Sequence, residues 1–429
     1  MPQTRPYKTL HSIHHQRFDS LKALLSKHRA IWTYPAFKTP GLQHLSAYPK
    51  LKQWCLSLSE QDIVALQGNN QLLLNAASSC FPDAKLLARL IDFPSSPDSS
   101  YPASYSPLPS SSLANSELTA WPAFWDTGIP GRKAAQIKAF SQAIVFTDNP
   151  LLEWCSGKQH LGRLLAEHFQ QDCIGLEIDT SLVKQANTLA AKRRSQLNIH
   201  SVSCDVLSAL PDQYIHKDHH LVALHACGGL HTALIKKAVA HKVSRLSFSP
   251  CCYHRYSETD GHSFMSAHAL SDALLLSRDD LRMAIRETKT ASQAETDKRR
   301  KLQAWRLGFD SLQRASTGKD CYLETPPLSP TILQKGFLQF CRELADIKRL
   351  TLKPNLDFKL HEDLGFQRYR EFEQAELTRM LFRRALETLI VLDKALFLEE
   401  QGYQARISLF CSSDVSPRNF FVDAVKPAR

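Results

Sequence analysis

The run LLEWCSGKQHLGRLLA at residues 151–166 carries the first residues whose types and spacing could do chemistry. An apolar stretch enters a turn at Gly157, and helix-forming residues follow from Leu161, with Gly162 in the first helical turn. Missing β-carbons let a backbone approach a nucleotide-like ligand, and a helix N-terminus presents free N–H groups to it. The spacing is not the dinucleotide GxGxxG, because Gln159 stands where another glycine would be expected. Nor is it a phosphate-gripping loop: Lys158 follows Gly157, but His160 cannot supply the hydroxyl that magnesium needs. Glu177 ends the apolar run CIGLE about 20 residues after the glycine turn, where an acidic side chain can accept both ribose hydroxyls of an adenosine ligand. Asp179 competes for that role; we read Glu177 as the ribose ligand, and Asp179 with Thr180 as the cap of a helix beginning near Ser181. Asp205, within SCDVL, can accept from an adenine amino group while Val206 covers the ring face; the alternative is a loop residue or helix cap.

These residues need a scaffold that places them along one edge. From residue 121 onward, strand and helix signals alternate. Residues 132–146 form an amphipathic helix with Ile137, Phe140 and Ile144 on one side. Strands are expected at 150–154, 173–177, 201–204, 221–226 and 245–248, with helices over 161–169, 181–194 and 230–240 between them. Alternation at these lengths means a parallel sheet with right-handed crossovers. Residues 264–315, 331–348 and 367–400 read as helical, and 405–410 with 420–424 as two closing strands joined by CSSDVSPRN. The expected domains are a helical region over 1–120 with a Ser/Pro-rich linker at 93–112, a core over 121–256, a helical insertion over 257–400, and a strand pair over 401–429 that completes the core sheet.

The motifs EWCSGKQHLGRLLA, GLEID, LHACGGL, SPCCYH and LFCSSDVSPRNFFVDAVK together resemble class I S-adenosylmethionine-dependent methyltransferases. The nearer likeness is to the subgroup that includes methyltransferase-like 25 proteins and the catalytic domain of the glutathione S-transferase C-terminal-domain-containing protein, with a more distant echo of a tRNA 2′-O-methyltransferase family. It covers roughly residues 125–256 and 385–429. The resemblance implies an α/β, Rossmann-like sheet of parallel strands plus a C-terminal antiparallel hairpin, with S-adenosyl-L-methionine as cofactor. It implies a cofactor set of Lys133, Glu153, Cys155, Gly157, Gly162, Glu177, Asp205, Val206 and His225. Arg132 and Lys133 could reach the cofactor's methionine carboxylate or begin a solvated helix, and Gln159 departs from the glycine of many relatives in a way that would reshape the methionine end of the pocket.

In this class the end of the fourth strand borders the transferred methyl. Enzymes that methylate base amines often carry [N/D]PP[Y/F] there; His225-Ala226-Cys227-Gly228 argues against that mechanism. Gly228 and Gly229 would permit close backbone approach, and His225 is either a base or a hydrogen-bonded structural residue. Cys251, Cys252, Tyr253 and His254 complete the catalytic candidates beside His225. Three readings of this Cys/His cluster stand open: it shapes the substrate pocket, it binds zinc with Cys227, or one cysteine is a nucleophile of the kind used on pyrimidine carbon 5. Adjacent cysteines chelate one ion poorly, so no residue is assigned to a metal. A methyl sulfonium is already activated, so the protein need mainly position a nucleophile in line with it.

The whole-chain chemistry narrows the partners. Lys and Arg number 53 against 42 Asp and Glu, a formal net charge of +11 that attracts polyanions. KRRK at 298–301 reads as a solvated helix face. Eleven cysteines without a CxxC pair argue against a disulfide framework and a standard zinc finger. No apolar run approaches the roughly 20 residues that span a bilayer, and the opening residues lack a secretory apolar core, so a cytoplasmic protein is expected. The expected substrate is RNA or a ribosome-associated component, with protein side-chain methylation or a catalytically inactive adaptor as alternatives. An NAD-dependent oxidoreductase is disfavoured by the missing GxGxxG.

Overall fold

The computed structural model describes residues 13–95, 125–145, 148–193, 195–256, 261–286 and 293–427. The chain divides into two compact units, one of residues 1–23, 90–285 and 385–429, the other of residues 24–89 and 286–384.

The first unit holds the sheet. Its strands are β1 (Leu151–Trp154), β2 (Cys173–Glu177), β3 (Ile199–Ser203), β4 (His220–Cys227), β5 (Arg245–Cys251), β6 (Gln404–Leu409) and β7 (Phe420–Val425). They lie in the order β3-β2-β1-β4-β5-β7-β6. Strands β1 to β5 pair in parallel, while β7 runs antiparallel to both β5 and β6. This is the Rossmann-like sheet with a C-terminal antiparallel hairpin expected from the sequence. Every residue of β1 and β5 is buried, as strands covered on both faces must be. Ile137 and Phe140, on the helix Gly131–Ala143, join Leu164, Leu165, Phe169 and Phe421 in one apolar core, so the stripe read from the sequence is the one that packs. That helix ends at Ala143, with Ile144 as its cap residue.

A buried polar chain ties β4, β5 and β7 together. His220 Nε2 lies 2.8 Å from Ser247 Oγ, Ser247 Oγ donates to Asp423 Oδ1 at 2.7 Å, and Arg245 donates to both Asp423 oxygens at 3.1 and 2.6 Å. Arg245 and Asp423 are 5% and 1% exposed, so this pair sits wholly inside the sheet layer.

In the second unit the helix Gln293–Thr317 packs along the helix Phe358–Met380. Gly308 and Gly365 let them approach: a β-carbon on Gly365 would lie 2.4 Å from Ala304 O and 2.7 Å from Gly308 N. Helices Pro49–Ser57 and Glu60–Gln67 also lie on Phe358–Met380. This long-range packing groups residues 24–89 with 286–384, a division that differs from the segments expected at 1–120 and 257–400. Phe93, at the start of the expected linker, is buried against Phe420; the linker beyond Ser95 lies outside the described residues.

Two expected helices are subdivided. Residues 264–315 contain short helices Ala267–Leu270 and Arg278–Ala284 before Gln293–Thr317, each short one started by a serine cap, Ser266 and Ser277. The stretch 367–400 is two helices, Phe358–Met380 and Arg383–Glu400, with fully buried Leu381 and Phe382 at the break. Among the described residues no helix is long and apolar enough to cross a membrane.

Candidate functional site

The C-terminal ends of β1, β2 and β3 lead into Cys155, Gly157, Glu177, Asp205 and Val206, five of the expected cofactor residues. Between β1 and the helix His160–Phe169 the chain takes left-handed conformations at Cys155 (φ +54°), Gly157 (φ +57°) and Gln159 (φ +53°). Only Gly157 adopts this without a side-chain penalty. A β-carbon on Gly157 would meet nothing within 4 Å, so the turn leaves open space. Glu177 closes it from below: its Oε2 accepts from Gly157 N at 2.8 Å and its Oε1 from Asp179 N at 3.0 Å. Each oxygen keeps lone-pair capacity for a further donor. Asp179 is the helix cap as expected, accepting from the amides of Ser181 and Leu182. Asp205 Oδ1 accepts from Leu207 N at 3.0 Å, a local turn bond, while Val206 is buried beside it.

Four residues are taken up by contacts within the chain. Gly162 packs against the sheet. Its missing β-carbon would lie 2.6 Å from Glu153 Oε2 and 2.8 Å from Cys173 Sγ, so the glycine lets the helix sit close on β1 and β2. Gln159 does not reshape the methionine end. Its side chain is fully buried and turns under the sheet, with Nε2 donating to His200 O at 3.1 Å and Oε1 accepting from Ser201 Oγ at 3.0 Å. Gly228 and Gly229 permit close backbone approach, but of this chain to itself: their β-carbons would lie 1.9 Å from Arg255 O and 1.8 Å from Tyr256 O.

Glu153 is buried under the turn, and its Oε2 accepts from Gly162 N at 2.9 Å. Burial pushes its pKa up to about 8, against the opposing pull of the Gly162 amide, Arg163 and Lys133. In the folded chain Glu153 therefore keeps a proton that the unfolded chain loses near its ordinary value of 4.5. The stability this contributes is fully present below that value and is lost as the pH rises through about 8. Glu153→Gln keeps the accepted amide bond and removes the titration. Its melting temperature, followed from about pH 5 to about pH 9, is expected to gain steadily on the native protein. A constant difference between the two would show that Glu153 is already ionised when folded. Cys155 is likewise pushed up to about 12 by burial, so it is a neutral thiol.

Lys133 is exposed on the helix that precedes β1 and acts electrostatically on Glu153, His160 and His225. Its neighbour Arg132 donates to Val415 O at 3.1 Å.

At the end of β4, His225 takes a left-handed conformation (φ +70°) and its Nε2 lies 2.9 Å from Gln136 Oε1. Gln136 Nε2 donates to Val415 O, which fixes the amide so that its oxygen faces the imidazole. Nε2 of His225 is thus the protonated nitrogen and Nδ1 the open acceptor. Burial lowers its pKa to about 4. His225 is neutral at physiological pH and suits orienting a donor better than carrying off a proton. Gln136 was missed from the sequence; no local pattern marks a partner 89 residues away.

The other catalytic candidates follow one another at the end of β5. The Sγ atoms of Cys227, Cys251 and Cys252 all lie within 4.8 Å of one another. Hydrogen bonding from Cys227 and then Cys251 holds the Cys252 thiol well below its ordinary pKa, while hydrogen bonding with Cys227 and Cys252 raises Cys251. Tyr253 is buried with its hydroxyl 3.3 Å from both Pro250 O and Glu387 Oε1. His254 has a buried Nδ1 with no hydrogen-bond partner among the described residues.

Beside this edge lies a cavity of about 650 Å³, bounded by Gly228, Gly229, Tyr253, Tyr256, Phe264 and Lys394. Lys236 and Lys237 reach it from the helix that follows β4. Lys394 is 1% exposed, donates to Ile390 O at 3.2 Å and stands 6.0 Å from the Tyr253 ring centre. Burial lowers its pKa to about 8, with Asp393 opposing. The signal in the sequence was an Asp-Lys pair inside the apolar run IVLDKALFL. A second, smaller cavity adjoins through Tyr256 and is lined by His254, Arg255, Arg278 and Arg282.

Residues 132–259 match a family model described as a methyltransferase domain. Among solved structures, magnesium protoporphyrin IX methyltransferase from Synechocystis PCC 6803, with SAH bound, is 15% identical over 27% of this chain and 52% of its own, at a TM-score of 0.22. This chain therefore spans about half the length of that protein. TrmK of M. capricolum, in complex with S-adenosyl-homocysteine, is 10% identical over 50% of this chain and 95% of its own, at 0.23. The 23S rRNA methyltransferase ErmE is 14% identical over 56% and 97%, at 0.23.

Proposed function

We propose that this chain transfers a methyl group from S-adenosyl-L-methionine to RNA, held over the C-terminal ends of β4 and β5. The residues at the β1–β3 edge fit such a cofactor: open space over Gly157, spare carboxylate capacity on Glu177, and Ser156 Oγ buried with no partner among the described residues. When bound, the cofactor supplies an electrophilic methyl on a sulfonium. Glu177 would hold the ribose hydroxyls, Asp205 and Val206 the adenine, and Lys133 the methionine carboxylate. His225, neutral with Nδ1 open, would accept a hydrogen bond from the acceptor group and orient it. Gly157, Cys155 and Glu153 shape the turn, with Gly162 setting the helix against it.

The cavity beside β4 is the observation that carries the RNA reading. Its exposed Lys236 suits a phosphate backbone, and exposed Tyr256 suits the face of a base. Exposed Arg255, Arg278 and Arg282 extend the positive edge. The net charge of +11 agrees with a polyanionic partner. The exposed cations of KRRK belong to the second unit, where Arg300 instead pairs with Glu373 at 2.7 Å. The HACG and CCYH motifs favour the methyltransferase-like 25 subgroup within the class.

Incubation of the purified chain with methyl-labelled cofactor and cellular RNA or protein fractions tests this. Label in the RNA fraction that nuclease releases is expected. Label that resists nuclease and yields to protease would move the substrate to protein side chains. Cofactor binding without transfer to any fraction would leave an adaptor.

Glu177→Ala is expected to weaken cofactor binding by about 1–3 kcal/mol, the scale of a lost hydrogen bond to a charged group. Calorimetric titration measures it, and unchanged affinity would remove Glu177 from the site.

A further inference from the structure

We propose that Cys227, Cys251 and Cys252 form a binding site for a single zinc ion. Two backbone irregularities, in different strands, bring these three sulfurs to one point. In β4 the register slips between Leu224, opposite Ser249, and Cys227, opposite Cys251, so three steps on β4 match two on β5. This is a bulge at left-handed His225, and it moves Cys227 to the place beside Cys251 that Ala226 would otherwise take. In β5, consecutive side chains would point to opposite faces. Left-handed Cys252 (φ +46°) breaks that alternation and returns its sulfur toward Cys251 and Cys227. Left-handed backbone is disfavoured for a residue with a β-carbon, yet His225 and Cys252 both adopt it. Ordinary packing of three small side chains does not need either distortion.

The turns that hold the cluster are themselves locked together. Gly228 N donates to Cys251 O, Gly229 N to Arg255 O, and Arg255 N to Cys252 O, each at 2.9 Å. The sulfurs are therefore placed by backbone and not by flexible side chains. Tetrahedral zinc with thiolates at about 2.3 Å needs sulfur–sulfur edges of about 3.8 Å. Cys227 and Cys251 stand 3.6 Å apart, and the cluster as a whole is within 4.8 Å. Each thiol gives up its proton on binding, and the fourth position stays open to water or a substrate atom. The site is independent of the RNA reading, since it rests on the sulfurs alone.

Metal analysis of the full chain, purified without chelator, tests the inference. A single zinc ion per chain is expected. Cys227→Ser and Cys252→Ser are expected to lose it, with affinity falling at least about 100-fold, beyond the cost of losing an outer-shell partner. Cys80→Ser, which touches none of these residues, should retain it. Should the variants fail to fold, titration of the metal-free native chain with cobalt(II) decides: thiolate-to-metal charge transfer and intense tetrahedral visible bands are expected. Absence of those bands, zinc unaffected by both substitutions, or a Cys227–Cys251 disulfide recovered by mass spectrometry in place of metal would each overturn it.

Discussion

Gly157→Arg is expected to abolish binding of S-adenosylmethionine in a calorimetric titration while leaving the protein folded. The two halves of that outcome have separate causes. The residue has φ +57° and open space where a β-carbon would project, so the substitution adds roughly 1–2 kcal/mol of left-handed strain without a clash inside the chain. A domain has about 5–15 kcal/mol of stability to absorb this. The same open space is where the cofactor must approach the turn, and an arginine side chain occupies it. Gly157→Ala adds the strain with far less bulk, so it should weaken binding by a smaller factor at a similar melting temperature. Native-like affinity in the arginine variant, with circular dichroism unchanged, would show that the cofactor does not sit over this turn.

The second large effect is on stability. Asp423→Ala is expected to cost about 3–5 kcal/mol in denaturant unfolding, because it strands the buried Arg245 guanidinium without its partner. Both carboxylate oxygens accept from Arg245, and Oδ1 also accepts from Ser247. Asp423→Asn loses the charge and keeps an acceptor, so it should fall between. A loss under about 1 kcal/mol for the alanine variant would mean that water reaches Arg245 and that the pair is not sealed in the sheet.

Much of the geometry at the ends of β1 and β2 was legible in the sequence because its signals are local. Gly157 followed by a helix, Glu177 at a strand end, and Asp179 before a helix each depend on a few neighbouring residues. The parallel sheet was legible for the same reason: its strands are short apolar runs divided by turns. What escaped notice depends on contacts between distant residues. Gly162, Gly228 and Gly229 are all glycines in the right places for a ligand, yet their space is filled by Glu153, Cys173 and the 255–256 backbone. Gln159 looked like a substitution in the pocket, but its amide is spent on β2 and β3, which a linear reading cannot see. Adjacent Cys251 and Cys252 looked ill-suited to a common ligand; the left-handed Cys252 that returns its sulfur toward Cys251, and the bulge that brings Cys227 beside them, have no sequence signature. The grouping of residues 24–89 with 286–384 likewise comes from helix packing across more than one segment.

The place of β7 between β5 and β6 has a kinetic consequence. Its partner β6 is close in sequence, but Asp423 and Arg245 are separated by 178 positions. Ordering so long a loop costs entropy before the first β5–β7 contact returns anything, and non-local pairing of this kind slows folding. The parallel strands and the hairpin should therefore form as separate pieces, with their joining as the slow event. In pulse-labelled refolding, the β5 amides that face β7, those of Leu246 and Phe248, would gain protection last, long after the helices that cover the sheet.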